Sequence, residues 1–198
     1  QATTLAGFTK AVTFSVEDSG SEILGAGSAV MNEASDITVT GTISVGNATT
    51  IDGWTNTGTN SYAISDDADQ IAASNDGVLG KATAITAQTA ATVSEAATIA
   101  GFTTDVTFDV EGAAADLASA SATAMAEARH ITATDNVTVA LAQKMDTWVN
   151  SGNDVYAISD TAAILALGSS AAAVGNASGV EVSDAVTVAQ LTAINTAA

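Results

Sequence analysis

The segments Tyr62-Ala-Ile-Ser-Asp-Asp-Ala68 and Tyr156-Ala-Ile-Ser-Asp-Thr-Ala162 decide how this chain of 198 residues folds. They begin 94 residues apart, and the same interval separates all of the aromatic residues, which form the identical pairs Phe8/Phe102, Phe14/Phe108, Trp54/Trp148 and Tyr62/Tyr156. A fixed interval of this kind indicates a tandem duplication. We therefore expect a single repeat domain over residues 1–198, built from two copies at approximately 1–94 and 95–198.

Each copy divides again into two similar halves. Four segments of the same type begin 48, 46 and 48 residues apart, at Phe14, Tyr62, Phe108 and Tyr156. A second series lies between them and begins at Ile37, Ile85, Ile131 and Val180. All eight segments alternate apolar residues with polar or small ones, which predicts strands with one buried face.

A helical pattern follows each predicted strand. Several of these patterns are introduced by an aspartate suited to capping free backbone N–H groups, at Asp66, Asp135, Asp160 and Asp184. The second copy carries one inserted residue, because Lys81-Ala-Thr aligns with Asn176-Ala-Ser. The coarse prediction is eight strand–helix units with parallel strands, so that each copy contains two strand–helix–strand–helix turns.

Two α/β architectures accommodate eight such units. The first is an open α/β solenoid, in which stacked turns share a continuous apolar interior. The alternative is a closed eight-stranded α/β barrel, whose interior is normally filled by bulky branched side chains. Glu17, Asp109 and Glu111 occupy alternate strand positions here, and burying those carboxylates in a dry barrel is costly. The pattern favours the solenoid.

The composition argues against several classes of partner. Twenty-two acidic residues against four basic ones give a net charge of −18, which repels phosphate backbones and anionic lipid surfaces. We therefore expect no nucleic-acid binding. We also expect no membrane insertion, since no long uncharged apolar stretch occurs. Cysteine is absent, which removes disulfides, thiolate metal sites and cysteine nucleophiles.

The two tyrosine segments quoted above, together with Ile131-Thr-Ala-Thr-Asp135, resemble the aromatic-x-Ile-Ser-Asp-Thr-Ala units of very long bacterial surface and secreted repeat proteins. That group includes adhesin-like and S-layer-like proteins, many of them regarded as calcium-binding. The resemblance covers nearly the whole chain and implies an exported structural or adhesive role at the cell surface. The Gly-Gly-x-Gly-x-Asp nonapeptide that binds calcium in many such proteins is missing here.

The ends of the sequence repeat internal segments. Thr3-Thr-Leu-Ala-Gly-Phe8 matches Ala97-Thr-Ile-Ala-Gly-Phe102, and Thr192-Ala-Ile194 matches the same half-unit again. Soluble solenoids usually carry atypical capping repeats with polar outer faces, and neither end shows that pattern. We therefore expect the chain to bind itself head to tail in an open, non-closing contact. A fragment of a longer array, or short terminal helices that suffice as caps, would also explain these ends.

Three carboxylates are the candidate metal ligands. Asp66, Asp67 and Asp69 cluster where a helix is predicted to start, and oxygen ligands of this kind suit Ca²⁺. Helix capping and interaction with the helix dipole explain the same residues without a metal. No other cofactor is expected.

The sequence contains no persuasive catalytic set, and we expect the protein not to be an enzyme. His130 is the only histidine, and its counterpart in the first copy is Asp36. The acid pairs Glu17/Asp18 and Asp109/Glu111 imitate a glycosidase dyad but lack an aromatic sugar platform beside them. The paired tryptophans and tyrosines suit core packing better than an exposed sugar-stacking stripe.

These observations predict an extracellular structural repeat protein that self-associates end to end into a filament or surface layer. The alternative is an adhesin segment that binds a glycan or a cell-surface protein on its open sheet face. Oligomer formation separates the two hypotheses, because only the first requires it.

Overall fold

The computed structural model describes residues 1–7 and 12–198, so Phe8 and Lys10 lie outside the described residues. The protein has a mixed α/β fold with parallel sheets and alternating strands and helices. It divides into two compact units. Unit 1 comprises Gln1–Thr89 and Gly101–Thr107, and unit 2 comprises Ala90–Ala100 and Phe108–Ala198.

Unit 1 contains one four-stranded sheet and short helices. Its strands are β1 (Val16–Ser19), β2 (Ile37–Ile43), β3 (Asn60–Asp66) and β4 (Ala82–Ala87). Its helices are α1 (Ala2–Ala6), α2 (Gly20–Ala26), α3 (Ser28–Met31), α4 (Val45–Asp52), α5 (Ala68–Ala72) and α6 (Asp76–Leu79).

Each strand of unit 1 pairs in parallel with the next strand along the chain, in the order β1-β2-β3-β4. Val16 pairs with Ile37, Ile37 with Asn60, and Ile64 with Ile85, which are separations of 21, 23 and 21 residues. One strand–helix unit therefore advances the sheet by one strand. The interval of about 47 residues in the sequence spans two of these steps.

Unit 2 repeats this pattern with shorter strands. The strands are β5 (Val110–Gly112), β6 (Ile131–Ala133), β7 (Asp154–Val155), β8 (Ala157–Asp160) and β9 (Gly179–Val182). The helices are α7 (Val93–Ile99), α8 (Ala114–Ser119), α9 (Ala122–Glu127), α10 (Val139–Met145), α11 (Ala162–Leu165), α12 (Ala171–Asn176) and α13 (Val188–Ala197), with a 3₁₀ turn at Gly168–Ser170.

The strands of unit 2 form a three-stranded sheet, β5-β6-β7, and a two-stranded sheet, β8-β9, and all of the pairs are parallel. Strands β7 and β8 flank Tyr156 and together correspond to the continuous strand β3. The eight strand segments predicted from the sequence are thus confirmed, with ends displaced by about two residues, as is usual for strand boundaries. Among the described residues neither unit contains a closed barrel.

Alternation of side chains along the strands builds the core. In β2, Ile37 and Val39 are buried while Thr38 and Thr40 are exposed. Ile43, Ile64 and Ile85 lie in register on neighbouring strands and are all buried. Branched side chains stacked in this way stabilise a parallel sheet through cross-strand contacts and burial of apolar surface.

Helix α4 buries an apolar stripe along one face. In α4 this stripe is Val45, Ala48 and Ile51, and all three are buried. Helices α5 and α6 are separate because the Asn75 side chain accepts hydrogen bonds from Gly77 and Val78 and starts α6 as a new helix.

The aspartates at the strand ends do not cap the helices predicted from the sequence. Asp66 Oδ2 accepts the backbone N–H of Val45, and Asp160 Oδ2 accepts that of Val139, in each case 21 residues earlier in the chain. Asp135 and Asp184 bind Ala114 and Ala162 in the same way. The four carboxylates thus cap the helix of the preceding strand–helix unit, because parallel stacking places the end of one strand beside the start of the previous helix. We call these residues the aspartate bridges.

In the part of the chain that the structure describes, no helix is long and apolar enough to cross a membrane.

Candidate functional site

Each unit has an open cavity beside its tryptophan, at equivalent positions of the two copies. The cavity of unit 1 measures about 550 Å³ and that of unit 2 about 710 Å³. The shared lining includes the pairs Asp52/Asp146, Trp54/Trp148, Asn56/Asn150 and Gly58/Gly152, each separated by 94 residues. We call them the unit 1 cavity and the unit 2 cavity.

The unit 1 cavity contains its own counter-ion. Lys81 Nζ forms an ion pair with Asp52 Oδ1 at the cavity wall. Asn60, the first residue of β3, donates from Nδ2 to the carbonyl oxygen of Ile51 at 2.9 Å. This cavity therefore presents one carboxylate, and an ammonium group of the same chain neutralises it.

The unit 2 cavity has a net negative lining instead. Asn176 replaces Lys81 and donates from Nδ2 to Asp146 Oδ2 at 3.4 Å, which supports the sequence alignment of these two residues. Asp154 replaces Asn60 and accepts a hydrogen bond from Asn150 Nδ2 at 2.9 Å. Two carboxylates thus line this cavity, and neither has an ion-pair partner among the described residues.

The structure fixes both carboxylates in place. Tyr156, which is buried, donates from its hydroxyl to Asp146 Oδ1 at 2.8 Å. Asp154 pairs with Ile131 of the neighbouring strand, so its backbone position is set by the sheet. Burial raises the pKa of Asp154 to about 6, and the negative charge of Asp146 adds to this shift, against the lowering effects of Asn150 and His130.

Trp148 forms part of the unit 2 cavity wall and is only 6% exposed. Its Nε1 is buried and has no hydrogen-bond acceptor among residues 1–7 and 12–198. Lys144 Nζ lies 5.7 Å from the ring centroid and donates to the backbone oxygens of Ala118 and Ala120. The Trp148 ring therefore contacts both the cavity and the ammonium group of Lys144 in α10.

The aromatic pairs do not form an exposed sugar-stacking stripe. Tyr62 and Tyr156 are each 1% exposed and Trp148 is buried, while Trp54 is half-buried. Their recurrence at 94 residues reflects packing inside each unit.

The three candidate calcium ligands are engaged with backbone or with neighbouring side chains to different degrees. Asp66 uses Oδ2 for Val45 and Oδ1 for the N–H of Asp67, whereas Asp67 starts α5 without a side-chain cap hydrogen bond. Asp69 accepts hydrogen bonds from Gln70. Within the described residues no group of three or more acidic or histidine side chains is arranged to hold a metal ion. Calcium binding at Asp66, Asp67 and Asp69 stays a prediction.

His130 and its counterpart Asp36 perform the same structural task. His130 Nδ1 accepts the backbone N–H of Asn153 at 3.1 Å, and Asp36 Oδ1 accepts the backbone N–H of Thr59 at 3.0 Å. The accepting residues and the donating residues are both 94 positions apart. The hydrogen bond from Thr59 holds the pKa of the Asp36 carboxyl below its ordinary value.

In the acid pair Asp109/Glu111, Asp109 forms an ion pair with Arg129. Arg129 donates from Nε and from one terminal nitrogen to the two oxygens of Asp109, at 2.9 and 2.7 Å. This bidentate contact lowers the pKa of Asp109 from its ordinary value, whereas a general acid requires a raised one.

A second notable surface is the outer side of α13. Val188 is 83% exposed and Leu191 54% exposed, whereas Ile194 is buried. The equivalent stripe of α10 is buried throughout, at Val139, Ala142 and Met145. We call the side chains of Val188 and Leu191 the α13 apolar face.

Sequence reasoning missed the residues of the unit 2 cavity. The available signal was the pair of substitutions between the copies, Asn60 to Asp154 and Lys81 to Asn176, which together remove one positive charge and add one negative charge. Their proximity became visible only in the fold, because they lie on different elements.

No protein-family profile, curated protein or solved structure matches this chain.

Proposed function

We propose that this chain is a non-enzymatic, extracellular structural repeat protein whose strand–helix units stack as an open solenoid and whose copies associate end to end into a filament or surface layer. The observation that carries the proposal is the α13 apolar face. Val188 and Leu191 are exposed at positions that the inner helices bury.

The inner helices indicate what would cover this face. Helix α10 contacts α8, which precedes it in the chain, and also β8 and α12, which follow it. Helix α13 contacts α11 and α12, both of which precede it. Val188 and Leu191 of α13 are exposed at the helix positions that α10 buries within the protein, and the chemistry that fits them is another strand–helix unit of the same kind.

The edge strands support a head-to-tail arrangement. Within residues 1–7 and 12–198, β1 is hydrogen-bonded only to β2, and β9 only to β8. Unpaired edges of this type are templates for strand addition. Pairing β9 of one copy with β1 of the next continues the parallel order and propagates without closing.

Composition supports the location outside the cell. The absence of cysteine and the ratio of 22 acidic to four basic residues agree with a soluble surface layer component and need no reducing compartment.

Sedimentation velocity of the full chain over a wide concentration range tests the proposal, with negative-stain electron microscopy of the same samples. We expect species that grow with concentration and appear as filaments or sheets. Leu191→Glu should lower the association constant at least about tenfold, because it replaces buried apolar contact worth about 1–2 kcal/mol with a charge.

Leu167→Glu is the matched control, since Leu167 is 49% exposed, close to the exposure of Leu191, and is not part of the α13 apolar face. It should associate like the unchanged protein. A protein that stays monomeric at every concentration, or that stops at a closed dimer, contradicts the proposal and favours the adhesin hypothesis.

A further inference from the structure

The two cavities differ in a way that points to a ligand. In the unit 1 cavity the ammonium group of Lys81 forms an ion pair with the carboxylate of Asp52. In the unit 2 cavity the equivalent carboxylate, Asp146, meets the neutral amide of Asn176. The protein itself therefore shows which chemical group this carboxylate accepts, and the second copy lacks it.

Compared with the unit 1 cavity, the unit 2 cavity has one more carboxylate and a larger volume. Asp154 stands where the first copy has Asn60, and the cavity is larger, at about 710 Å³ against about 550 Å³. Asp146 is held by Tyr156 and Asp154 by Asn150, so the two acceptors are positioned before any ligand arrives. Preorganised acceptors reduce the entropic cost of binding.

We propose that the unit 2 cavity binds a primary ammonium group from outside the chain, held between Asp146 and Asp154 as Lys81 is held by Asp52. An ammonium ion has three N–H donors, which two carboxylates and an amide oxygen of Asn150 or Asn176 can accept. A small alkylamine and a lysine side chain of another protein share this chemistry. The inference does not depend on end-to-end association, because none of the residues that line the cavity belongs to α13.

The groups around the ligand predict how binding depends on pH. The titratable groups that interact here are Asp146, Asp154, His130 and Tyr156, with Lys144 behind the Trp148 ring. The pKa of Asp154 is raised to about 6, so this carboxyl gains a proton as the pH falls through that value. Binding should therefore be strongest above pH 7 and weaken several-fold by about pH 5, as one of the two carboxylates loses its charge.

The test is an NMR titration of the full chain with n-butylammonium and, separately, with Nα-acetyl-lysine amide. The Trp148 indole N–H and the side-chain amides of Asn150 and Asn176 serve as reporters. We expect saturable shifts at the unit 2 cavity with a dissociation constant in the millimolar range, as suits a single charged group. Saturation by butylammonium alone indicates a small amine as the source, and equal or tighter binding of the lysine probe indicates a protein side chain.

Two variants use each copy as the control for the other. Asn176→Lys recreates the internal ion pair of unit 1 and should weaken butylammonium binding at least about tenfold while the fold is retained. The double variant Asn60→Asp with Lys81→Asn opens the unit 1 cavity and should give a second binding site, reported by the Trp54 indole N–H.

Tetramethylammonium and sodium test whether the negative charge of the protein alone is responsible, because neither offers an N–H donor. Equal shifts with these ions overturn the proposal, as does saturation by CaCl₂ at lower concentration than butylammonium, which would make the cavity a metal site. Unchanged binding in Asn176→Lys also contradicts it.

Discussion

At the scale of single residues, acceptor groups that reach from one strand–helix unit to its neighbour hold the structure together. The carboxylate of each aspartate bridge accepts a hydrogen bond from the first N–H of the preceding helix. His130 and Asp36 accept hydrogen bonds from backbone N–H groups in the loop of the following unit. The helices that the aspartate bridges cap have four to eight residues and are too short to be stable alone. A cap supplied by the next unit satisfies a backbone N–H that has no partner within the helix. Each contact links two neighbouring units.

Asp160→Ala tests the aspartate bridges. Asp160 accepts the N–H of Val139 at 3.1 Å and that of Thr161 at 2.8 Å, and its loss should reduce the free energy of unfolding by about 1–2 kcal/mol. Urea denaturation at neutral pH measures this change.

Asp67→Ala is the comparison, because Asp67 starts a helix without a side-chain cap hydrogen bond. It should change stability by only a few tenths of a kcal/mol. Equal effects of the two substitutions would show that charge, and not the bridge, is responsible.

The residue scale also shows where sequence reasoning ended. The aspartates were recognisable as caps, but the helix that each one caps could not be identified, because that depends on the pairing of strands 21 residues apart. The equivalence of His130 and Asp36 was visible as an alignment, yet imidazole and carboxylate share only the ability to accept an N–H. Asp154 gave no local signal, since its raised pKa arises from burial and from Asp146, which lies on another element.

At the scale of elements, the glycines before β3 and β7 set how closely two successive units approach. A Cβ at Gly58 would overlap the carbonyl oxygen of Ser35, and a Cβ at Gly152 would overlap that of Arg129. Gly58 also donates its N–H to Ser35. The loop before the strand therefore lies directly against the previous loop, and only glycine fits there.

Gly58→Ala should destabilise the protein by about 2 kcal/mol, because neither the backbone oxygen nor the loop can move without breaking the sheet register. Thermal unfolding followed by circular dichroism measures this loss.

Gly25→Ala provides the opposite case within α2, where nothing lies within 4 Å of the added Cβ. It should raise stability by about 0.5–1 kcal/mol, since alanine favours a helix over glycine. A neutral result at Gly58 would mean that the two loops pack less tightly than described.

The element scale was the most predictable. Period-2 alternation identified the eight strand segments but not β7, since Asp154 and Val155 precede the predicted segment that begins at Tyr156. The splitting of the last long strand at Tyr156 was not foreseen, because Tyr62 occupies the same place in an unbroken strand. Nothing in the local sequence distinguishes the two tyrosines.

At the scale of the whole molecule, the dominant quantity is the net charge of −18. Like charges on a compact chain repel one another, and salt screens that repulsion. Raising the NaCl concentration at neutral pH should therefore increase the melting temperature by several degrees, measured by differential scanning calorimetry. At the sequence pI of about 4.1 the salt effect should nearly vanish, since the net charge is close to zero there.

CaCl₂ at matched ionic strength separates screening from specific binding. A melting temperature that rises more with CaCl₂ than with NaCl would support the calcium prediction, provided that the double variant Asp67→Asn with Asp69→Asn loses the additional rise. A melting temperature that falls with NaCl would contradict the role of charge repulsion.

The aspartate bridges also set an order of events during synthesis. The ribosome synthesises Val45 before Asp66 and Val139 before Asp160. Each helix therefore emerges before the carboxylate that accepts the hydrogen bond from its first N–H. We expect the nascent chain to gain structure one unit behind the exit tunnel, with the most recently emerged helix always the least stable. Folding would then advance in one direction along the polypeptide, at the pace of translation.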